Sequence, residues 1–236
     1  MAQPEAPAAP AAPADHSPDL AHHFHSLRQQ RVAAELGMWV FLVTEVMFFG
    51  GLFLAYLVYR ARYPEAFEAG SHDMNIWLGT INTAMLLTSS LTMALAVHAA
   101  DDTAETHPAA RSRRLVLFLL ATTALGLVFL GIKAFEYYDK YTHHQIPFGG
   151  FEFSHAGDPG LQTFYNLYFL MTGFHALHMV IGLAILLLLA WLASRDGLTG
   201  ASSVVVYNFG LYWHFVDLVW VYLFPFFYLV GARLRE

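Results

Sequence analysis

Five long apolar segments dominate the chain and limit what it can fold into. They run from about Leu36 to Tyr59, Ile76 to Val97, Leu115 to Tyr138, Phe164 to Ala193 and Ser203 to Ala232. A bilayer core about 30 Å thick needs roughly 20 apolar residues in a helix, at about 1.5 Å each. All five meet that length. Charge is nearly absent from them: Glu45 in the first, Lys133 and Glu136 near the end of the third, and Asp217 in the fifth. In lipid, a spanning segment must satisfy its backbone groups internally, so helices are the expected form. The expected fold class is all-α, an integral membrane bundle of five transmembrane helices. Pro225 is expected to kink the last of them.

Composition agrees. Of 236 residues, 57% are hydrophobic and only 13% charged, whereas soluble domains carry roughly 25% charged residues. The formal charge of −6 comes with no basic stripe, so no nucleic-acid partner is expected. Cysteine is absent, which excludes disulfides, thiolate metal sites, a Cys-bridged dicopper centre and iron–sulfur clusters. Residues 1–27 are rich in Ala and Pro and are expected to form a disordered tail. They lack the basic start and apolar stretch of a signal peptide. Residues 28–236 form the expected membrane domain.

Aromatic clusters mark the interfaces: Tyr56, Tyr59 and Tyr63, Trp77, and Tyr137, Tyr138 and Tyr141. A cytoplasmic N-terminus puts Arg28, Arg31, Arg111, Arg113, Arg114 and Arg195 inside, and Arg60, Arg62, Lys140, Arg233 and Arg235 outside. The triplet at 111–114, read as part of a short loop, decides the orientation. The C-terminus then lies on the opposite side.

The polar residues inside the spans each have two readings. Glu45 sits mid-helix, where a charged group costs about 2.5–3.5 kcal/mol. It is either proton-linked or a buried acid bonded across a helix interface. Lys133 and Glu136 are three apart and can pair on one face with Tyr137; the plain reading is interfacial pairing with the lysine reaching to the surface. His175 and His178, also three apart, are expected on one helix face. They can bind a metal with help from other helices, or hydrogen-bond to neighbouring helices or headgroups. His214 and Asp217 repeat the spacing, as a metal-site pair or as two buried groups that satisfy each other. For assembly, the small residues Gly50, Gly51, Thr83, Ser89 and Ser90 are candidates to meet a larger neighbour. The loop pair His143 and His144 reads as solvated. No phosphate loop, nucleophile elbow or zinc-protease motif is present, so no self-contained catalytic site is expected.

Taken together, these segments resemble the subunit III family of haem-copper oxidases. ELGMWVFLVTEVMFFGG resembles the family's Glu-bearing helix, with Glu45 at its embedded carboxyl. LGTINTAMLLTSS, with Asn82, Thr83 and Ser90, resembles the next helix, and GIKAFEYYDKY carries the Glu-Tyr pair at Glu136 and Tyr137. FLMTGFHALHMVIG matches the Gly-Phe-His-x-Leu-His signature, and YWHFVDLVWVYLF the closing Trp-His-Phe-Val-Asp motif. The resemblance covers about Glu35 to Gly231.

The resemblance implies an accessory, non-redox subunit of a proton-pumping oxidase in a bacterial-type cell membrane. Haem and copper are expected in partner subunits, with subunit I the catalytic one, and none in this chain. The implied roles are stabilising subunit I and supporting proton uptake. Longer members have seven helices and hold phospholipid in a V-shaped cleft; this chain is expected to lack the first two. Membrane lipid, including bound phospholipid, is the expected small-molecule contact. Related members serve quinol oxidases and nitric oxide reductases. Two other classes compete: a self-standing b-type haem protein using His98, His178 or His214, and a transporter with Glu45 or Asp217 in its path, although no internal repeat is visible.

Overall fold

Helix formation begins before the first apolar run. Ser26 adopts an extended conformation and its hydroxyl accepts from the Gln29 amide at 3.2 Å, capping helix α1, Leu27–Arg62. The good helix formers between residues 27 and 36 extend α1 nine residues ahead of its expected start, beyond what the bilayer requires. The remaining elements are α2 (Pro64–His72), α3 (Ile76–Asp101), α4 (Pro108–Thr142), α5 (Pro159–Asp196) and α6 (Ser203–Phe224), which passes into a π-helical turn at Pro225–Leu229. This is a computed structural model that describes residues 21, 23–101, 108–142, 158–196 and 203–230. The expected tail lies almost wholly outside the described residues, as do His143 and His144.

Five of these helices are long and apolar enough to cross a membrane. The sixth, α2, was not anticipated, because its nine residues hold one large apolar side chain, Phe67, and no apolar run. Pro64 starts it, and its buried Phe67 packs edge-on against Tyr56 and Phe164. Arg111, Arg113 and Arg114 do not lie in a loop: they occupy the first turns of α4. Arg111 turns back to bond the carbonyls of Ala99 and Ala100, closing the C-terminal end of α3. Asp158 caps α5, its Oδ1 accepting from the Gly160 amide at 2.8 Å. At Pro225 the helix loses an amide and widens into the π turn.

Helices α3, α4, α5 and α6 form a closed ring of neighbours, and α1 lies outside it against α5 and α6. Of the five spans, α1 is the least buried and α6 the most. Close packing at the centre depends on glycine. Trp213, fully buried, rests against Gly182 and Gly126, where an added Cβ would stand 2.9 Å from a Trp213 ring carbon and 2.9 Å from Leu183, respectively. Lipid tails are as apolar as these side chains, so tight packing and hydrogen bonds must hold the ring. Indole donors supply two such bonds: Trp213 to Ser89 at 3.2 Å and Trp220 to Thr83 at 3.1 Å, joining α6 to α3.

Candidate functional site

Glu45 stands halfway along α1 and reaches across to α5. Its Oε2 lies 3.1 Å from Nε2 of His178. The other ring nitrogen of His178, Nδ1, is 2.8 Å from the carbonyl of Phe174. A carbonyl only accepts, so Nδ1 carries a hydrogen. The contact with Glu45 then holds one further proton, on the carboxyl or on the ring. Either form is neutral overall, which is what a low-dielectric setting favours. The Tyr212 hydroxyl donates to the His178 carbonyl at 2.8 Å, and the Phe49 ring packs on the imidazole at 5.4 Å. A groove of about 570 Å³ opens beside the pair, lined by Met38, Phe41, Ile181, Ile185 and Phe209.

His175 does not share this site. It is 1% exposed, enclosed by Phe129 and Trp220, and neither ring nitrogen has a hydrogen-bond partner among the described residues. The two imidazoles thus face different neighbours and do not form one site, although their spacing keeps them about 60° apart on α5. Three residues advance a helix by 300°, and with the α1 side of α5 occupied by His178, His175 turns into the ring.

Lys133 is corrected as well. It does not reach the surface: Lys133 and Glu136 are each 4% exposed. The ammonium donates to Glu136 Oε2 at 2.8 Å, to the Tyr168 hydroxyl at 3.0 Å and to the Tyr228 hydroxyl at 2.9 Å. Its three hydrogens therefore meet three acceptors. Tyr228 in turn donates to Glu136 Oε1 at 2.6 Å, so both carboxylate oxygens are used. The Trp220 ring lies 5.0 Å from the ammonium. This closed, neutral knot ties α4 to α5 and to the π turn. Tyr137 lies over the same ammonium and bonds Thr172 of α5. Toward the same end, Lys140 donates to the Asp73 carbonyl at 2.9 Å and Tyr165 to the Asp73 carboxylate at 2.9 Å.

His214 and Asp217 do not pair directly. His214 Nδ1 meets Ser90 of α3 at 2.7 Å. Asp217 is 4% exposed, and neither oxygen reaches hydrogen-bonding geometry, with Ser90 its polar neighbour. Ser90 thus stands between the two, because α3 packs tightly enough on α6 to supply a nearer hydroxyl. Of the small residues expected at an outer interface, Thr83, Ser89 and Ser90 instead bond within the chain, while Gly50 and Gly51 face open space. Among the described residues no group of three His, Asp or Glu side chains is placed to hold a metal ion.

Sequence reasoning missed Tyr168, Tyr228, Tyr212 and the bridging role of Ser90. The available signal was a polar tip set in an apolar helix, which requires a partner when buried; the partner's identity comes only from the packing.

Fold and site define a polytopic membrane protein whose ionisable groups are mostly engaged with one another across helix interfaces. The family profile of cytochrome c oxidase subunit III matches residues 20–232, and the chain belongs to that family. It is 33% identical over 211 residues to cytochrome c oxidase subunit 3 of Thermostichus vulcanus, covering 88% of this chain and 91% of the relative. It is 31% identical over 222 residues to cytochrome c oxidase subunit 3 of a Synechocystis species, covering 91% and 82%. A probable quinol oxidase subunit 3 of Staphylococcus aureus is 27% identical over 198 residues, covering 84% and 89%.

Proposed function

We propose that this chain is the accessory, non-redox subunit III of a proton-pumping terminal oxidase that reduces oxygen to water. It packs beside subunit I, which with other partner subunits carries the haem and copper. It stabilises subunit I during turnover and supports proton uptake. The observation that carries the reading is the matched set of polar contacts, Glu45–His178 and Lys133–Glu136–Tyr228, in which Glu45, Glu136 and His178 fit the family's motifs. These groups are spent on each other and hold helices together, the work of a scaffold. His178 has both nitrogens engaged and His175 is walled in by rings, which weighs against a b-type haem in this chain. The protein spans the membrane five times, and the proposed orientation puts the start of α4 in the cytoplasm.

A second reading keeps the role and changes the electron donor: the Staphylococcus aureus relative is named for a quinol oxidase. The test is purification of the native complex from membranes in mild detergent. The chain should copurify with a haem-bearing subunit, and the isolated folded chain should contain no stoichiometric iron or copper. A chain that repeatedly extracts alone, or that shows its own Soret band, overturns the proposal. Turnover with reduced cytochrome c against quinol decides the donor.

A further inference from the structure

The outer face of α6 lies in a trough between two helices. Both α1 and α3 pack on α6, yet neither packs extensively on the other. Between them α6 presents Tyr207, Leu211, His214, Leu218 and Val221, spaced alternately four and three apart, so they form one stripe. Tyr207, Leu218 and Val221 are exposed, and Leu211 and His214 partly so. This outward stripe belongs to the most buried of the five spans. At one end the trough deepens into a cavity of about 200 Å³, walled by Arg31 and Glu35 of α1, Val97 and Asp101 of α3, and Ser203 and Tyr207 of α6.

His214 stands near the middle of the span, with Ser90 at the middle of α3. Its Nδ1 is held by Ser90, while Nε2 has no protein partner among the described residues and is not enclosed. Behind it lies Asp217, 4% exposed, with Ser90 as its polar neighbour. Lipid cannot satisfy these groups. At mid-depth it offers only hydrocarbon, and its first ester oxygens are about 15 Å away. An imidazole nitrogen facing that medium is costly. A hydrogen-bonding side chain delivered by another helix removes the cost, and the trough has the form of a helix seat.

We infer that the trough between α1 and α3 seats a transmembrane helix of a partner subunit, which brings a hydroxyl or carboxamide to His214 at mid-membrane. Either group donates or accepts, and so suits both tautomers that the Ser90 contact allows. The partner's end nearest Arg31, Glu35 and Asp101 is polar or charged, while the flanking stripe asks only for small and aliphatic side chains. The inference rests on the accessory-subunit reading and adds to it the surface used and the chemistry that meets it.

The test places photoreactive p-benzoylphenylalanine at Leu218, at Tyr207 and, as a control on the outer face of α4, at Leu120. Native membranes are irradiated and the crosslinked peptides identified by mass spectrometry. Leu218 and Tyr207 should both crosslink to one transmembrane segment of another subunit, and Leu120 should not. In parallel, complexes carrying His214→Leu should shed this chain in detergent about threefold faster than wild type, as for one lost intramembrane hydrogen bond. His214→Gln, which still donates and accepts, should hold. Crosslinking of Leu218 to phospholipid alone, or to a second copy of this chain, overturns the inference, as does equal loss in the Gln and Leu variants. If the chain copurifies with its haem-bearing partner while these results are negative, only the seat is wrong. If it never copurifies, the subunit reading falls with it.

Discussion

Replacing Lys133 by Met should be among the most damaging single changes in the chain, and the reason is the partner left behind. Met fills similar volume, so little packing is lost. Glu136, however, keeps its burial at 4% exposure and loses its cation, retaining only the Tyr228 hydroxyl as a donor. Removing one member of a buried ion pair costs about 3–5 kcal/mol. Since 1.4 kcal/mol is about a factor of ten, the stability constant should fall by roughly 10²-fold to several thousandfold. Glu136→Gln alone should cost a similar amount, because the ammonium then lacks its anion. The double variant Lys133→Met, Glu136→Gln has no charge left in this knot, and swapping a whole buried pair for neutral groups of like volume is often close to neutral. It should therefore recover most of the loss. The assay is the half-life of the purified complex at a fixed raised temperature, read as release of this chain and compared among the four proteins. The reasoning is refuted if Lys133→Met changes the half-life by less than twofold, or if the double variant is no better than the worse single.

For Glu45, the Gln variant retains a hydrogen-bonding group opposite His178 Nε2, so the initial oxidase rate should stay within about threefold of wild type. Glu45→Ala, losing packing as well, should inactivate faster during sustained turnover. A collapse of the initial rate in a fully assembled Gln complex would place Glu45 on an obligatory proton path. Gly182→Val should drive a side chain into Trp213 and cost about 1–3 kcal/mol. Gly131→Ala, with open space around it, should change little, and thermal release of the chain compares the two. The native chain has no Cys, so a Cys at Ala109 should be labelled only from the cytoplasmic side; labelling from outside reverses the proposed orientation.

The spanning helices were legible because each needs about 20 apolar residues and little else, and those runs are plain in the sequence. Helix ends were less so. Residues 27–35 precede the first apolar run and carry no spanning signal, yet they are helical because Ser26 caps them and good helix formers follow. The short α2 was invisible for a related reason: one buried phenylalanine and a proline start give almost no periodic signal. At the site, spacing alone named Lys133–Glu136 correctly, since an i, i+3 pair on one helix needs no tertiary information. The same rule failed at His214–Asp217, where Ser90 comes between; at His175–His178 it kept both rings on one side of α5, but different helices of the bundle claim them. No rule within one segment could pair Glu45 with His178, which lies 133 residues away. Such pairs follow from which helices become neighbours, and the apolar runs do not encode that order.

The placement of α1 outside the ring has a bearing on biogenesis. Its polar ties run to elements made much later: Glu45 to His178, and the Tyr56 hydroxyl to the carbonyl of Phe226 in the π turn. Translation at about 5–20 residues per second separates Glu45 from His178 by roughly 7–27 s. Through that interval α1 carries an acid with no imidazole to meet it. Helices α3 and α4 can join as soon as both are inserted, but α1 must wait at the periphery until the last third of the chain arrives. The nascent protein therefore needs a temporary companion for that helix. A stall or truncation before α5 would leave a product whose Glu45 has no His178 to meet.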